Sequence, residues 1–216
     1  KLGMTQFPYD KIAYDLLSDF PTRTRDIVSK RFGFEKEEPF TLERIGQDHD
    51  ITRERVRQIV EEATGQIKES VREGETRQPI AKVFDYFSKT LKKFGNSKRE
   101  DLFIDHMRQD THPSYVVFLL NLGGQFLQQR ETDDIYTFWT IEEDALREVP
   151  QALRNLHDYF EKKKNAVQLR QLKEIHDISS GLAFSSLLEI SKRVVQSYDG
   201  RWGLRDWADV NPRTVR

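Results

Sequence analysis

The chain has no cysteine among its 216 residues, which excludes disulfide cross-links and thiolate zinc sites and is compatible with the cytoplasm. No apolar run approaches the roughly 20 residues that a membrane-spanning helix needs, and Lys1 to Phe7 lack a signal-peptide pattern. The expectation is a soluble cytoplasmic protein without membrane contact. His49, His106, His112, His157 and His176 include no pair at the helical spacing of metal ligands, so no metal or other cofactor is expected. Gly123-Gly124 lacks both the Lys-Ser/Thr continuation of a phosphate-binding loop and the spacing of a dinucleotide-binding turn. An excess of one charge is missing too. With 35 basic and 36 acidic residues the net charge is −1, which argues against coating nucleic acid by bulk electrostatics, because phosphate neutralisation supplies most non-specific affinity.

What is present suffices for real cores: 37% hydrophobic residues, 11% of the chain aromatic, allow one to three small domains. Basic residues cluster at Lys89, Lys92, Lys93, Lys98 and Arg99, at Lys162 to Lys164 with Arg170 and Lys173, and at Lys192, Arg193, Arg201 and Arg205. Each cluster can touch a phosphate backbone or serve as a solvated helix end. Asp158, Glu161 and Lys163 imitate a nuclease triad but lie in a charged helical run, where a solvated face explains them, and no enzyme is expected. Glu142-Glu143-Asp144 after Thr140 reads as a helix start, with Glu143 completing a capping box.

The most informative stretch is Thr41 to Ile59. Thr41 caps a first helix, and Leu42 and Ile45 fall one turn apart on its buried face. Gly46 leaves room for a second helix, Asp50 tolerates the left-handed backbone of a tight turn, and Ile51 plugs the angle between the helices. Thr52 caps the second helix, expected to reach Ala63. On it Val56, Ile59, Val60 and Ala63 share an apolar arc, opposite Glu54, Arg57, Gln58 and Glu61, with Arg53 and Arg55 at the margins. Arg and Gln pair bidentately with guanine and adenine edges in the major groove, and Glu accepts from the cytosine amino group. The same residue types also populate any exposed helix face.

Leu16 to Phe34, followed by Thr41-Leu-Glu-Arg-Ile-Gly46 and Thr52-Arg-Glu-Arg-Val-Arg-Gln-Ile59, closely resembles the fourth conserved region of the sigma-70 family factors of bacterial RNA polymerase. The resemblance covers about Leu16 to Ala63. It implies a helix-turn-helix that reads the upstream promoter hexamer through the major groove and docks on the polymerase flap. It further implies that Arg53, Glu54, Arg57 and Gln58 are base readers and that Thr41, Thr52 and Arg55 are phosphate or positioning contacts. The chain departs from the family in lacking the second region, which melts the promoter, and in Gly65, expected to interrupt the basic helix that closes the fourth region.

A composition shift near Glu73 to Pro79 marks a boundary, giving expected domains at 1–73, 79–146 and 147–216. The second runs through helices at Ile80 to Phe94, Lys98 to Met107 and Pro113 to Leu122 to a hairpin of Phe126 to Arg130 and Ile135 to Ile141. The third repeats that order from Pro150 to a hairpin of Val194 to Ser197 and Trp202 to Trp207 around Asp199-Gly200. Leu119-Leu120 to Leu187-Leu188 and Phe126 to Val194 are the same 68-residue step, which suggests a duplicated winged-helix unit or coincidental spacing. Asp199 to Trp207 also resembles the closing strand of HARE-type winged helices. Pro113 to Gln129 holds no charge, so its helix is read as buried core or as a protein-docking surface. Met4 reads as a start methionine, and Asn211 to Arg216 as the entry to another element.

The expected fold is therefore mainly α: a sigma region 4-like helix-turn-helix followed by two winged-helix-like modules, each with a β-hairpin. The expected function, carried by the resemblance, is sequence-specific binding of double-stranded DNA in bacterial transcription, aided by tethering to RNA polymerase or by homodimerisation. The alternative is an adaptor that docks on polymerase without reading DNA.

Overall fold

In the computed structural model, which describes residues 7–34, 38–74, 77–108, 110–173 and 183–211, contacts divide the chain into two units: Lys1–Phe87 with Ile104–Gly124, and Ser88–Phe103 with Gln125–Arg216. Ten helices and five short strands are present among the described residues.

The first unit is helical because its apolar residues recur every three or four positions. Helix α1 (Tyr9–Leu17) buries Tyr9, Ile12, Ala13 and Leu17 along one stripe. Helix α2 (Thr22–Phe32) starts after Pro21 and buries Ile27 and Val28; it stops at Gly33, whose φ of 72° turns the chain. Helices α3 (Leu42–His49) and α4 (Arg53–Glu73) follow. Two helices, α5 (Arg77–Lys93) and α6 (Glu100–Met107), have residues in both units. Helix α7 (Pro113–Leu122) is the uncharged segment, and it packs on α1, α2 and α4. Phe118 is fully buried, edge-on to Phe32 at 4.9 Å and to Phe34 at 5.3 Å, and Tyr115 lies 4.6 Å from Phe34. Of the two readings of this charge-free run, buried core is the one observed.

The second unit carries the strands. Strands β1 (Ser97–Arg99), β2 (Leu127–Gln129) and β3 (Phe138–Thr140) form an antiparallel sheet in the order β1-β3-β2, with Lys98 opposite Trp139 and Gln128 opposite Trp139. Glu100 fastens the sheet by accepting from Trp139 Nε1 at 2.8 Å and Gln128 Nε2 at 2.6 Å. Helix α8 (Ala145–Lys163), helix α9 (Leu169–Lys173), helix α10 (Phe184–Ile190) and the hairpin β4 (Val194–Gln196) and β5 (Trp202–Leu204) repeat the order of the preceding elements. In both repeats a residue between the first two helices pairs with a tryptophan of the returning strand, Lys98 with Trp139 and Val167 with Trp202. The two modules have the winged-helix order of elements, each with its hairpin.

Some local expectations fail for tertiary reasons, among them the helix expected from Lys98, which begins at Glu100 because Ser97–Arg99 pair with β3. Helix α8 begins at Ala145 rather than Pro150, because Ala145, Val149, Leu153, Leu156 and Phe160 form one buried stripe that runs across the proline. Thr140 makes no capping box with Glu143; its hydroxyl is buried, accepts from Ser97 Oγ at 2.9 Å and from the Glu142 N–H at 3.0 Å, and so serves the sheet. Ile135 leaves the hairpin and pairs with Ser191 instead, which buries its side chain beside Phe138, Val149 and Leu188. The turn Gly95-Asn96 has positive φ at both residues, and a Cβ on Gly95 would lie 2.1 Å from the Ala183 nitrogen, so glycine is required where the start of α10 crosses it. Met4, Asn211 to Arg216 beyond Asn211, and His176 lie outside the described residues. No helix among the described residues is long and apolar enough to cross a membrane.

Candidate nucleic-acid interface

The segment from Thr41 to Glu73 builds a rigid corner out of local chemistry. Thr41 Oγ1 accepts from the Arg44 N–H at 3.2 Å and starts α3; Thr52 Oγ1 accepts from the Arg55 N–H at 3.1 Å and starts α4. Between them Asp50 takes the left-handed conformation, φ 53° and ψ 50°, and the Ile51 N–H returns to the Gly46 carbonyl at 3.0 Å. A Cβ on Gly46 would sit 2.6 Å from the Ile51 oxygen, so this position admits no side chain without moving the turn. Ile27, Ile45 and Val56 form the core of the corner, with Phe40, Leu42, Ile51, Ile59 and Val60 packed around it.

Helix α2 buttresses α3 with polar contacts. Lys30 reaches Asp26 at 3.0 Å and Asp48 at 3.1 Å, and His49 Nε2 lies 2.8 Å from Asp26. The Asp26 hydrogen bond raises the Lys30 pKa; burial opposes the rise, and the Asp48 hydrogen bond adds to it. Arg23 donates to the His49 carbonyl at 2.5 Å.

With Val56 and Ala63 buried inward, the opposite face of α4 projects Arg53, Glu54, Arg57 and Gln58 outward from its N-terminal turns, where the helix dipole is positive. Arg53 and Glu54 are the most exposed, with side chains 70% and 59% accessible. The four expected readers and Arg55 are thus brought onto one continuous surface; Thr41 and Thr52 lie at the helix starts, their hydroxyls engaged as caps.

This surface is tied together by its own carboxylates. Arg57 donates through Nε and Nη2 to Glu54 at 2.9 and 2.6 Å and through Nη1 to Glu61 at 2.5 Å. Gln58 Nε2 donates to Glu54 at 3.3 Å, Arg55 Nη1 donates to Gln58 at 3.2 Å, and Arg53 pairs with Glu43 at 2.9 Å. The hydrogen bond from Arg57 holds the Glu54 carboxyl below the usual range, and Glu54 and then Glu61 push the Arg57 pKa up. The sign follows: the Glu54–Arg57 pair is intact above the ordinary glutamate pKa and is lost as pH falls through the depressed one, so it is formed at neutral pH.

Glu61 lies on the expected polar arc but had no role assigned there, and Glu43 and Glu62 were not expected at the site. The Arg57 to Glu61 pair is legible in its four-residue spacing, whereas Glu62 meets Arg55 seven residues away and Glu43 meets Arg53 only across the corner. Gly65 does not interrupt the helix. Helix α4 runs on to Glu73, because Ile67 continues the buried stripe of Val56 and Ala63, and it ends at Gly74 with φ 91°. A Cβ on Gly65 meets nothing within 4 Å. Gly65→Ala should therefore stabilise the protein by about 0.5–1 kcal/mol, read as a higher denaturant midpoint at unchanged slope, and a lower midpoint would contradict this account.

Elsewhere several residues of the basic clusters are paired internally. Lys98 is buried, paired with Glu189 and 4.4 Å from the Phe94 ring; Arg99 pairs with Asp101 at 2.6 Å, Lys192 with Glu131, and Arg201 with Asp199 at 2.7 Å. Glu161 pairs with Lys164 at 2.8 Å, and among the described residues no group of three or more His, Cys, Asp and Glu could hold a metal ion. A cavity of about 590 Å³ in the second unit is lined by Arg154, His157, Asp158 and Arg193 with Asp134, a mixed set in which Arg193 already meets Asp134 at 3.4 Å.

Comparison with known proteins falls on the corner and its supporting helices. Residues 16–69 match the family model for Sigma-70, region 4. The RNA polymerase sigma-C factor of Nostoc sp. (strain PCC 7120) is 40% identical over 57 residues, which is 26% of this chain and 14% of that protein. The RNA polymerase principal sigma factor HrdD of Streptomyces coelicolor is 36% identical over 59 residues, 27% of this chain and 18% of the relative, and that of Streptomyces griseus is 39% identical over 54 residues, 25% and 16%. The match spans less than a fifth of the length of these curated relatives. Residues 16–69, with α3, the Asp50 turn and α4 at their centre, are the part of this chain that is similar to sigma-70 region 4.

Proposed function

We propose that this chain binds double-stranded DNA sequence-specifically in bacterial transcription, inserting the N-terminal turns of α4 into the major groove. One observation carries the reading: a capped, glycine-cleared helix-turn-helix presents Arg53, Glu54, Arg57 and Gln58 on one exposed face within the segment similar to sigma-70 region 4. In this reading Arg57 and Gln58 take guanine and adenine edges, Glu54 accepts from a cytosine amino group, and Arg53 reads beside them. Arg55, Thr41 and Thr52 meet phosphates and fix the register.

The two winged-helix-like modules support this division of labour. Their third helices, α7 and α10, are largely buried, so groove reading falls to α4. Four readers worth about 1–3 kcal/mol each do not supply both affinity and genome-wide selectivity, and a net charge of −1 adds little bulk attraction. Tethering to RNA polymerase, or dimerisation, supplies the remainder. We hold the segments 1–73, 79–146 and 147–216 to be the units from which the chain was assembled.

The test is selection of the full chain against random duplex DNA at low salt, which should enrich one motif. Enrichment of no motif would sink DNA reading by α4. The second reading, an adaptor that docks on polymerase without reading DNA, draws on the self-paired arginines and then gains if the chain still retains purified polymerase.

A further inference from the structure

The reading face is closed by a residue to which no base is assigned. Glu61, Arg57, Glu54, Gln58 and Arg55 form one hydrogen-bonded chain of side chains, and Arg55 is 3.5 Å from Glu62 at its far end. A guanidinium has five N–H donors in a fixed fork, and reading a guanine requires two of them side by side, on O6 and N7. The Nε–Nη2 edge of Arg57 is occupied by Glu54, and Nη1 approaches both oxygens of Glu61 at 2.5 Å. Of its two bidentate edges, Nε–Nη2 is therefore held by Glu54, and the terminal Nη1–Nη2 edge, the one a guanidinium reaching end-on into the groove presents, shares Nη1 with Glu61. Glu54 has a base of its own to accept from in the groove; Glu61, one turn beyond Arg57 on an exposed part of the same face, has none.

We infer that Glu61 is a specificity-determining residue of the DNA-reading helix: its carboxylate competes with the guanine edge for Arg57, so it weakens the specific complex more than the non-specific one. In a non-specific complex Arg57 keeps its glutamate and nothing is lost. In the specific complex the guanine, met through the terminal edge, takes Nη1 from Glu61, a loss nothing replaces, whereas Glu54 exchanges Arg57 for its own cytosine. The inference rests on the α4 reading proposed above. Competition is distinct from simple repulsion between Glu61 and phosphates, which weakens both complexes alike.

Glu61→Gln keeps the shape and hydrogen-bonding capacity of the side chain and removes the charge. With the motif selected by the wild-type chain and a scrambled duplex as probes, Glu61→Gln should tighten binding to the motif by about two- to fivefold more than binding to the scrambled duplex, the scale of an exposed ion pair. The gain should vanish in the Arg57→Ala background, with circular dichroism showing all variants folded. No gain on the motif, an equal gain on both duplexes, or a gain that persists without Arg57 would each overturn the inference while leaving DNA reading intact. A wild-type chain that selects no motif overturns the DNA-reading proposal and this inference with it.

Discussion

Arg57→Ala combined with Gln58→Ala is expected to abolish sequence preference in a selection from random duplexes while leaving the protein folded. Two bidentate pairings are removed, each worth about 1–3 kcal/mol, so affinity for the wild-type motif should fall on the order of a hundredfold or more. Non-specific binding should change far less, since the only positive charge removed is that of Arg57, which Glu54 and Glu61 already oppose. The fold should survive because Arg57 is exposed, and the core of the corner is made by Ile27, Ile45 and Val56. Loss of the surface ion pairs changes stability little, because both partners are exposed and screened by solvent. If the double variant still enriches the wild-type motif, the readers have been assigned to the wrong residues.

The second large effect concerns stability. Phe118→Ala should lower the unfolding free energy by about 3–5 kcal/mol, read from the denaturant midpoint. Phe118 is fully buried in α7, edge-on to Phe32 and Phe34, so the truncation leaves a cavity between α7 and the helices it packs on. A loss of that size is a large part of a small domain's total stability. A cost below about 1 kcal/mol, the scale of an ordinary surface change, would instead mean that the uncharged face of α7 is a docking surface open to solvent.

Much of the corner was readable because its signals act within four residues of themselves. A threonine one residue before a helix finds its N–H donor locally, so Thr41 and Thr52 announced both starts, and Asp50 announced the left-handed turn between them. The apolar arc of Val56 and Ala63 fixed which way Arg57 and Gln58 had to face. Asp199-Gly200 likewise marked its hairpin, where Gly200 has φ 83°.

What could not be read depended on partners distant in the chain. Lys98 looked like one of a basic cluster, yet Glu189, 91 positions away, takes its charge into a partly buried pair. Ile135 fitted a strand by period but gained more by joining the core beside Leu188. Gly65 carries a helix-breaking propensity of only about 1 kcal/mol, and the burial of Ile67 beyond it outweighs that, so α4 continues. The pairing of Arg53 was settled in the same way, by Glu43 across the corner. Local patterns determine caps, turns and the direction a helix faces, because those energies are set by neighbours in sequence. Which buried group pairs with which, and whether a weak break is overridden, is set by desolvation and packing, and these exist only once the chain has folded.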